Sequence, residues 1–353
     1  MYRRISKFKE ILKEKKLDGG IIYKPENRRY MSGFTGSSGY VLITADKTFF
    51  ITDFRYIEQS KSECKEYEII EHNDKHTIYS ILNDLNLNSL GFEEDFVTYN
   101  QYKEFKEKLN KTKLIPLDGA ISSLRIIKYE DEVASIEKAA SIADDAFKHI
   151  CGYIKPGITE KEVAIELEFY MKRKGASATS FDTIVASGVR SSLPHGIASD
   201  KVIQNGDFIT MDFGCIYNGY CSDMTRTVVL GKASDKQKEI YNIVLEAQTK
   251  ALEAIKPERD CVEIDKVARD IIKSKGFGEY FGHGLGHGVG LEVHENPRLS
   301  PTSKDLLKPG MVVTDEPGIY IPDFGGVRIE DLVLVTQTNH KVLSKSPKEL
   351  IEL

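Results

Sequence analysis

A weak internal repeat constrains this chain more than any other feature. "IKPGITEKEVAIELEFYMKRKG" (154–175) resembles "IKPERDCVEIDKVARDIIKSKG" (255–276). Each copy opens on Ile-Lys-Pro and closes on a basic turn and a glycine, the pattern of a helix with a C-terminal glycine cap. Thr159 and Glu162 have the spacing of a capping box on the first copy. Further landmarks follow in the same order. "LPHG" (193–196) is answered by "LGHG" (285–288), and "NGDFITMDFG" (205–214) by "PGMVVTDEPG" (309–318). In this alignment Asp212 falls opposite Glu316, and His195 opposite His287. Four landmarks in one order make chance a poor explanation. A unit of helices followed by a hairpin, present twice, predicts a pseudo-twofold domain whose acids meet near its axis.

The repeat leaves the N-terminal third of 353 residues for a second, smaller domain. There Ile5, Phe8, Ile11 and Leu12 fall at helical spacing, so the chain opens on an amphipathic helix. "GGIIYK" and "GYVLITADKTFFITD" read as strands, the second pair hinged at "ADK". "DGAISSLRIIKYEDE" suits a linker. After it, "SIEKAASIADDAFKHICGYI" places Ile136, Ala139, Ala140, Ala143, Phe147 and Ile150 on one helical face. The expected organisation is a small N-terminal α/β domain over residues 1–127 and a C-terminal pseudo-twofold domain over 128–353, an α/β fold of the α+β kind.

Composition narrows the function. Hydrophobic residues make 41% of the chain and charged residues 29%, enough for a sizeable core in an ordinary globular protein. A formal charge of -5 argues against a nucleic-acid binder that works by counterion release. No apolar run is long enough to span a bilayer, so no membrane partner is expected. The opening "MYRRISKFKEILKEKK" lacks the apolar stretch of a signal peptide, and Glu10 and Glu14 weaken a transit-peptide reading. The five cysteines are odd in number, scattered and without a CxxC, as expected of reduced thiols in a cytoplasmic protein.

The chemistry sits in the two hairpins. "GDFITMDFGCIYNGYCSDMTRTVVLG" turns at Asn218-Gly219. A two-residue loop pairs Asp212 with Thr225, and period two then puts Asp212 and Asp223 on one face, diagonally adjacent. By the same parity Cys215 and Cys221 point to opposite faces, which disfavours a disulfide. In "GMVVTDEPGIYIPDFGGVRIEDLVLVT" the turn centres near Asp323-Phe324, so Glu316 and Glu330 come out roughly opposite each other, and Arg328 shares the face of Glu330. A solvated acidic face, or a plain pair of Arg328 with Glu316, would explain one hairpin. Neither explains four acids at related positions in two repeats with apolar flanks. Carboxylates crowded on a covered face repel unless something positive lies between them. Four of them with one histidine suit two divalent cations, and an oxygen-rich set favours manganese over cobalt, iron or zinc. HExxH, a P-loop and GxGxxG are all missing from the sequence, so the glycines of "FGHGLGHGVG" are not a phosphate cradle.

The segments "SLPHG", "MDFGCIYNGYCSDMTRT", "GHGLGHGVGLEVHE", "VVTDEPGIY" and "GGVRIED" resemble the pita-bread metallopeptidases, aminopeptidase P and prolidase in particular. "YMSGFTGSSGYVLITADKTFFITDFRY" resembles the creatinase-type N-terminal domain that accompanies them. The resemblance implies a dinuclear site of Asp212, Asp223, His287, Glu316 and Glu330, with manganese expected and cobalt or zinc as alternatives. It implies that a hydroxide bridging the metals attacks the carbonyl before proline, with Glu316 handling the proton of that water. His294 resembles the histidine that steadies the oxyanion. His195 resembles the one near the scissile bond that assists binding and proton movement. His283 resembles a wall of the proline pocket, and Arg328 an arginine that orients an acid ligand and meets substrate. Two positions depart from the family pattern: Leu332 replaces a frequent acid, and Asp315 replaces a common aliphatic residue. The activity implied is hydrolysis of the N-terminal Xaa-Pro bond of small peptides by a homodimer. A compact chain leans towards a dipeptidase, with an aminopeptidase acting on longer peptides as the alternative. A metal-free, non-catalytic pita-bread module that binds peptides or proteins is the alternative from another class; such modules usually lose ligands, and this sequence keeps all five.

Overall fold

Ile5, Phe8 and Leu12 bury one face of α1 (Tyr2–Glu14), the expected opening helix. It packs against β1 (Gly19–Ile22), where a Cβ on Gly20 would lie 2.7 Å from the Phe8 ring. Glycine there lets a fully buried phenylalanine close on the strand, a contact of about 1.5–3 kcal/mol. The computed structural model describes residues 1–109 and 111–353. Within them the chain divides into two units, Met1–Arg125 and Ile126–Leu353.

The first unit continues through α2 (Pro25–Ser32), β2 (Tyr40–Thr44), β3 (Thr48–Thr52), α3 (Ile57–Glu63), β4 (Glu68–Glu71), α4 (Ile78–Asp84), β5 (Ser89–Phe92), α5 (Tyr99–Lys108), β6 (Lys113–Pro116) and α6 (Ala120–Arg125). Its six strands form one sheet in the order β4-β3-β2-β1-β5-β6. The hinge at "ADK" makes β2 and β3 an antiparallel hairpin, while β5 and β6 run parallel to β1. The stretch read as a linker is partly helical. Ala120, Ile121 and Arg125 of α6 are buried, and Arg125 donates to Asn27 Oδ1 at 2.7 Å, so the helix closes the first unit.

The second unit is built twice. Its first half runs α7 (Glu130–Cys151), α8 (Glu160–Arg173), β7 (Ala178–Thr179), β8 (Ile184–Ser187), β9 (Phe208–Phe213), β10 (Cys215–Tyr217), β11 (Tyr220–Cys221) and β12 (Met224–Val229). Its second half runs α9 (Asp235–Ala254), α10 (Cys261–Ser274), β13 (Gly286–Gly288), β14 (Glu295–Leu299), β15 (Val312–Asp315), β16 (Gly318–Ile321), β17 (Gly325–Arg328), β18 (Asp331–Val335) and β19 (His340–Val342). In each half two helices cover their own sheet. Ile142, Phe147 and Leu167 pack on Val185, Met211 and Val228 in the first, and Val244, Ile264 and Ile272 pack with Val313 and Val333 in the second. The repeated helices start and stop as expected. Thr159 and Glu162 form the capping box of α8, and both repeats end on a left-handed glycine, Gly175 at φ 103° and Gly276 at φ 87°.

Both long hairpins break midway and keep their register across the break. In the first, Asp212 pairs with Thr225 on β9–β12, and Tyr217 with Tyr220 at the tip, around Asn218 and Gly219 with positive φ. In the second, Asp315 pairs with Asp331 on β15–β18, and Gly318 with Arg328 on β16–β17. Glu316 and Glu330 are the residues at that break, opposite each other as expected.

One detail of the repeat is corrected. Asp212 lies across from Ile184 on β8, and the Glu316 amide donates to Leu285 O at 2.8 Å. Leu285 therefore answers Ile184, and His287 answers Ala186 rather than His195. The short motifs "LPHG" and "LGHG" match as strings, but His287 lies on the strand β13 while His195 lies in the connection between β8 and β9.

Candidate metal centre

Four carboxylates and one imidazole converge between the two halves of the second unit. Asp212 comes from β9, Asp223 from the residue before β12, His287 from β13, and Glu316 and Glu330 from the break in the second hairpin. Single donor atoms of Asp223, His287 and Glu330 lie within 4.8 Å of one another. His287 Nε2 is 3.6 Å from Asp223 Oδ2 and 3.3 Å from Glu316 Oε1. Asp223, His287 and Glu330 are buried, and all five residues line one cavity of about 510 Å³.

Threonines and one arginine set the geometry. Thr225 Oγ1 donates to Glu330 Oε2 at 2.7 Å, and Thr314 Oγ1 to Glu316 Oε1 at 3.0 Å. Thr314 Oγ1 also accepts from the His287 amide. Arg328 does not pair with Glu316. Its Nη2 donates to Asp212 Oδ2 at 2.6 Å, its Nε to Thr225 Oγ1 and its Nη1 to the Tyr320 hydroxyl at 2.8 Å. Gly286 and Gly288 let β13 approach its neighbours. A Cβ on Gly286 would lie 2.1 Å from Thr314 O, and one on Gly288 2.3 Å from Asn296 O.

The charge balance asks for a cation. Burial and the neighbouring acids push the carboxyls of Asp223 and Glu330 well above the usual range. Burial also raises Asp212, with Arg328 opposing and Glu316 adding to the rise. Burial alone would raise Glu316 too, but the hydrogen bond and charge of His287 outweigh it and hold this carboxyl low. His287 Nδ1 faces the carbonyl of Gly288 at 3.1 Å, which can only accept, so Nδ1 carries a proton. Nε2 then points at two carboxylate oxygens, and a proton or a cation must sit among them. Asp212 Oδ1 is buried with no hydrogen-bond partner. Four carboxylates and one imidazole, with one carboxylate oxygen orphaned, fit a hard or borderline divalent ion.

The other three candidate histidines line the same cavity. His283 Nδ1 faces Gly284 O at 2.8 Å and must donate there, so Nε2 accepts from the Tyr320 hydroxyl at 2.9 Å. Burial holds the His283 imidazolium disfavoured, with Glu316 opposing. His294, exposed at its outer edge, packs edge-on against His287, ring centroids 4.3 Å apart, and partial burial together with His287 lowers its pKa to about 4. His195 is exposed and lines the opening with Pro194 and Ile197.

Three contributors escaped the sequence reading. Tyr320 links His283 to Arg328. Asp265 on α10 accepts from the Leu285 amide and from Arg269, which in turn donates to the carbonyls of Phe281 and His283. Arg298, paired with His287 across β13–β14, presents an exposed guanidinium to the cavity. Tyr320 lies on β16, in the hairpin that carries Glu316 and Glu330, and carried a signal, its place in "EPGIY". Asp265 and Arg298 carried none: Asp265 with Arg269 reads as an ordinary i,i+4 helix pair, and no spacing rule brings Arg298 to the cavity.

Comparison with known proteins gives the family. The model of metallopeptidase family M24 matches residues 134–337, and that of the creatinase/prolidase N-terminal domain matches residues 4–127. An Xaa-Pro dipeptidase of Pyrococcus furiosus is 46% identical over 353 residues, covering 99% of this chain and 100% of that protein. The structure of an Xaa-Pro dipeptidase from Bacillus anthracis superposes with a TM-score of 0.97 at 50% identity, over 100% of this chain and 99% of the other. That of an X-Pro aminopeptidase from Thermotoga maritima gives 0.91 at 39% identity, over 96% of this chain and 98% of the other. The chain belongs to metallopeptidase family M24 and carries that family's creatinase/prolidase N-terminal domain.

Proposed function

We propose that this metallopeptidase hydrolyses Xaa-Pro dipeptides, using a pair of divalent cations held by Asp212, Asp223, His287, Glu316 and Glu330. The observation that carries the reading is the buried carboxylate cluster at the floor of a cavity walled by His195, His283 and His294. Full-length relatives named as Xaa-Pro dipeptidases support the substrate class. When bound, the cations supply Lewis acidity, which polarises the scissile carbonyl and acidifies water. Manganese is the metal assigned first, with cobalt or zinc next.

The chain's own groups do the rest. Glu316, held ionised, takes the proton of the attacking water and passes it to the leaving nitrogen. His294, neutral above about pH 4, donates to the developing oxyanion. His195 steadies the substrate near the scissile bond. The neutral His283 ring, fixed by Tyr320, forms a wall for the pyrrolidine. An Xaa-Pro amide is tertiary and has no N–H, so a cleft that fills a pocket with the ring suits it better than one that hydrogen-bonds the amide. Arg328 keeps Asp212 oriented and reaches substrate.

Arg298 favours a dipeptidase over an aminopeptidase for longer chains. Its guanidinium on the cavity wall is placed to take the carboxylate of a proline that ends the substrate. In a tripeptide that carboxylate lies one residue further on. The functional domains are taken as 1–127 and 128–353. A homodimer in the cytoplasm is the assembly and setting assigned; all five cysteines are free, as a reducing compartment would keep them. No helix among the described residues is long and apolar enough to cross a membrane.

The deciding experiment compares Leu-Pro with Ala-Pro-Gly on the purified protein, after chelation and after adding back manganese, cobalt or zinc. The expected result is metal-dependent cleavage of Leu-Pro, with the tripeptide slower by at least about tenfold. Faster tripeptide cleavage would make the chain an aminopeptidase, and turnover indifferent to chelation would overturn the metal site.

A further inference from the structure

We infer that Glu160, at the start of α8, is a positioning residue for the loop that carries His195. This rests on the role given to His195 above. The loop leaves β8 at Ser187, passes through a short 3-10 turn over Gly188–Ser192, presents Pro194, His195 and Ile197 to the cavity, and returns past Ser199. Apolar burial cannot hold it. Val189, Leu193 and Ile197 are 50% exposed or more. Among the described residues no hydrogen bond fixes the His195 ring. A loop with its hydrophobic side chains in water needs polar anchors to keep one conformation.

Glu160 supplies them at both ends. Its carboxylate is fully buried. Oε1 accepts from the Ser187 amide at 2.7 Å and the Ser187 hydroxyl at 2.9 Å, where the loop leaves. Oε2 accepts from the Ser199 amide at 3.1 Å and the Ser199 hydroxyl at 2.7 Å, where the loop returns. Arg190 Nη1 pairs with the same oxygen, and Arg190 Nη2 donates to Ile197 O at 3.0 Å. One carboxylate thus closes the loop's two feet on each other, and its arginine partner ties down the middle. The Glu160 amide completes the clamp by donating to Lys201 O at 3.0 Å. Charge-assisted bonds of this kind are shorter and stronger than neutral ones, and five on one buried acid resist exchange with water. In sequence Glu160 looks like an ordinary first-turn acid that complements the helix dipole, beside the Thr159–Glu162 capping box. The fold turns it away from that role and towards the site.

The test is a double-mutant cycle on the manganese-loaded full chain with Leu-Pro, together with hydrogen exchange. Glu160→Gln and the milder Arg190→Met are each made with His195 intact and in the His195→Ala background. With His195 intact, each is expected to lower kcat/KM about 10- to 100-fold, the cost of misplacing a group by an ångström or so. In the His195→Ala background the loss shrinks to under about threefold, and bound metal stays constant in all variants. Amides of residues 187–199 exchange at least about tenfold faster in Glu160→Gln, while those of β9 and β12 do not change. Equal losses in both backgrounds would reduce Glu160 to a general structural role and overturn the inference. Unchanged exchange in the loop would overturn it independently of any activity. A wild-type protein that leaves Leu-Pro intact would instead refute the proposed substrate, and the exchange result would still decide whether Glu160 is the anchor.

Discussion

Replacing Asp315 by valine should stabilise this protein at neutral pH. Asp315 is fully buried on β15, and neither carboxylate oxygen has a hydrogen-bond partner. Period two puts it on the face of Val313, which belongs to the core of the second half. Its cross-strand neighbour is another acid, Asp331, which takes the local donors for itself: Arg226 Nη2 at 2.8 Å, Gln248 Nε2 at 3.0 Å and Lys348 Nζ at 2.8 Å. Burial first, and then the charge of Asp331, pushes the Asp315 carboxyl well above its ordinary range. The sign follows. A folded-state pKa above the unfolded one means the fold binds the proton more tightly. The associated stability is full below about pH 4 and is lost as pH rises through the folded value. At pH 7 that loss stands, and Asp315→Val removes it. A buried polar group without a partner costs about 1–3 kcal/mol. Valine also suits a central strand and adds a side chain to the apolar cluster. The expected gain in urea unfolding of the chelated protein at pH 7 is therefore about 1–3 kcal/mol, with the midpoint shifted and the slope unchanged. The gain should shrink as pH is lowered towards 4. Asp315→Asn, which keeps the buried polarity, should gain less. A valine variant no more stable than wild type at pH 7, or an advantage that grows on acidification, would show that the carboxylate is paired in solution and refute the argument.

The other expectations concern the site. Asp223→Ala should lower Leu-Pro hydrolysis by at least about a hundredfold and reduce bound metal measured by elemental analysis; undiminished turnover would sink the ligand assignment. Tyr320→Phe leaves Arg328 Nη1 and His283 Nε2 short of one partner each, so kcat/KM should fall about tenfold and stability by about 1–3 kcal/mol; unchanged kinetics would detach Tyr320 from the mechanism. His294 should titrate near pH 4 by NMR in the chelated protein, well below the ordinary 6.5. A depressed histidine contributes stability that is present above about 6.5 and lost as pH falls towards 4, and His294→Gln should flatten that decline. A measured pKa at or above 6.5 would contradict the environment described for this ring.

What the sequence made legible was local or periodic. Asn218-Gly219 announced a two-residue turn, and counting back from it put Asp212 opposite Thr225, where the structure has it. The same counting brought Glu316 and Glu330 together, although it took each hairpin as continuous. The breaks depend on close approach, such as that of Gly214, where a Cβ would lie 1.9 Å from Ser222 O. No spacing rule reports such a contact. String matching between the repeats went astray at His195, because "LPHG" resembles "LGHG" while strand pairing assigns that place to residues near Ala186. Arg328 was expected to orient an acid ligand, but counting within its own hairpin could not name that acid as Asp212, 116 residues away. The roles of Glu160, Asp265 and Arg298 were invisible too, although Asp265 has a partner as near as Arg269. What they do is decided by partners that only the tertiary fold brings near.

The donors are divided unequally between the halves of the second unit. The first half brings Asp212 and Asp223, the second His287, Glu316 and Glu330. On the proposed assignment the full donor set exists only when both halves are in place, so the growing chain lacks it until Glu330 has been made and β18 has docked. Metal then binds across the seam like a clasp. Its affinity is coupled to how firmly the halves hold together, and stripping it should loosen that seam before it melts either half.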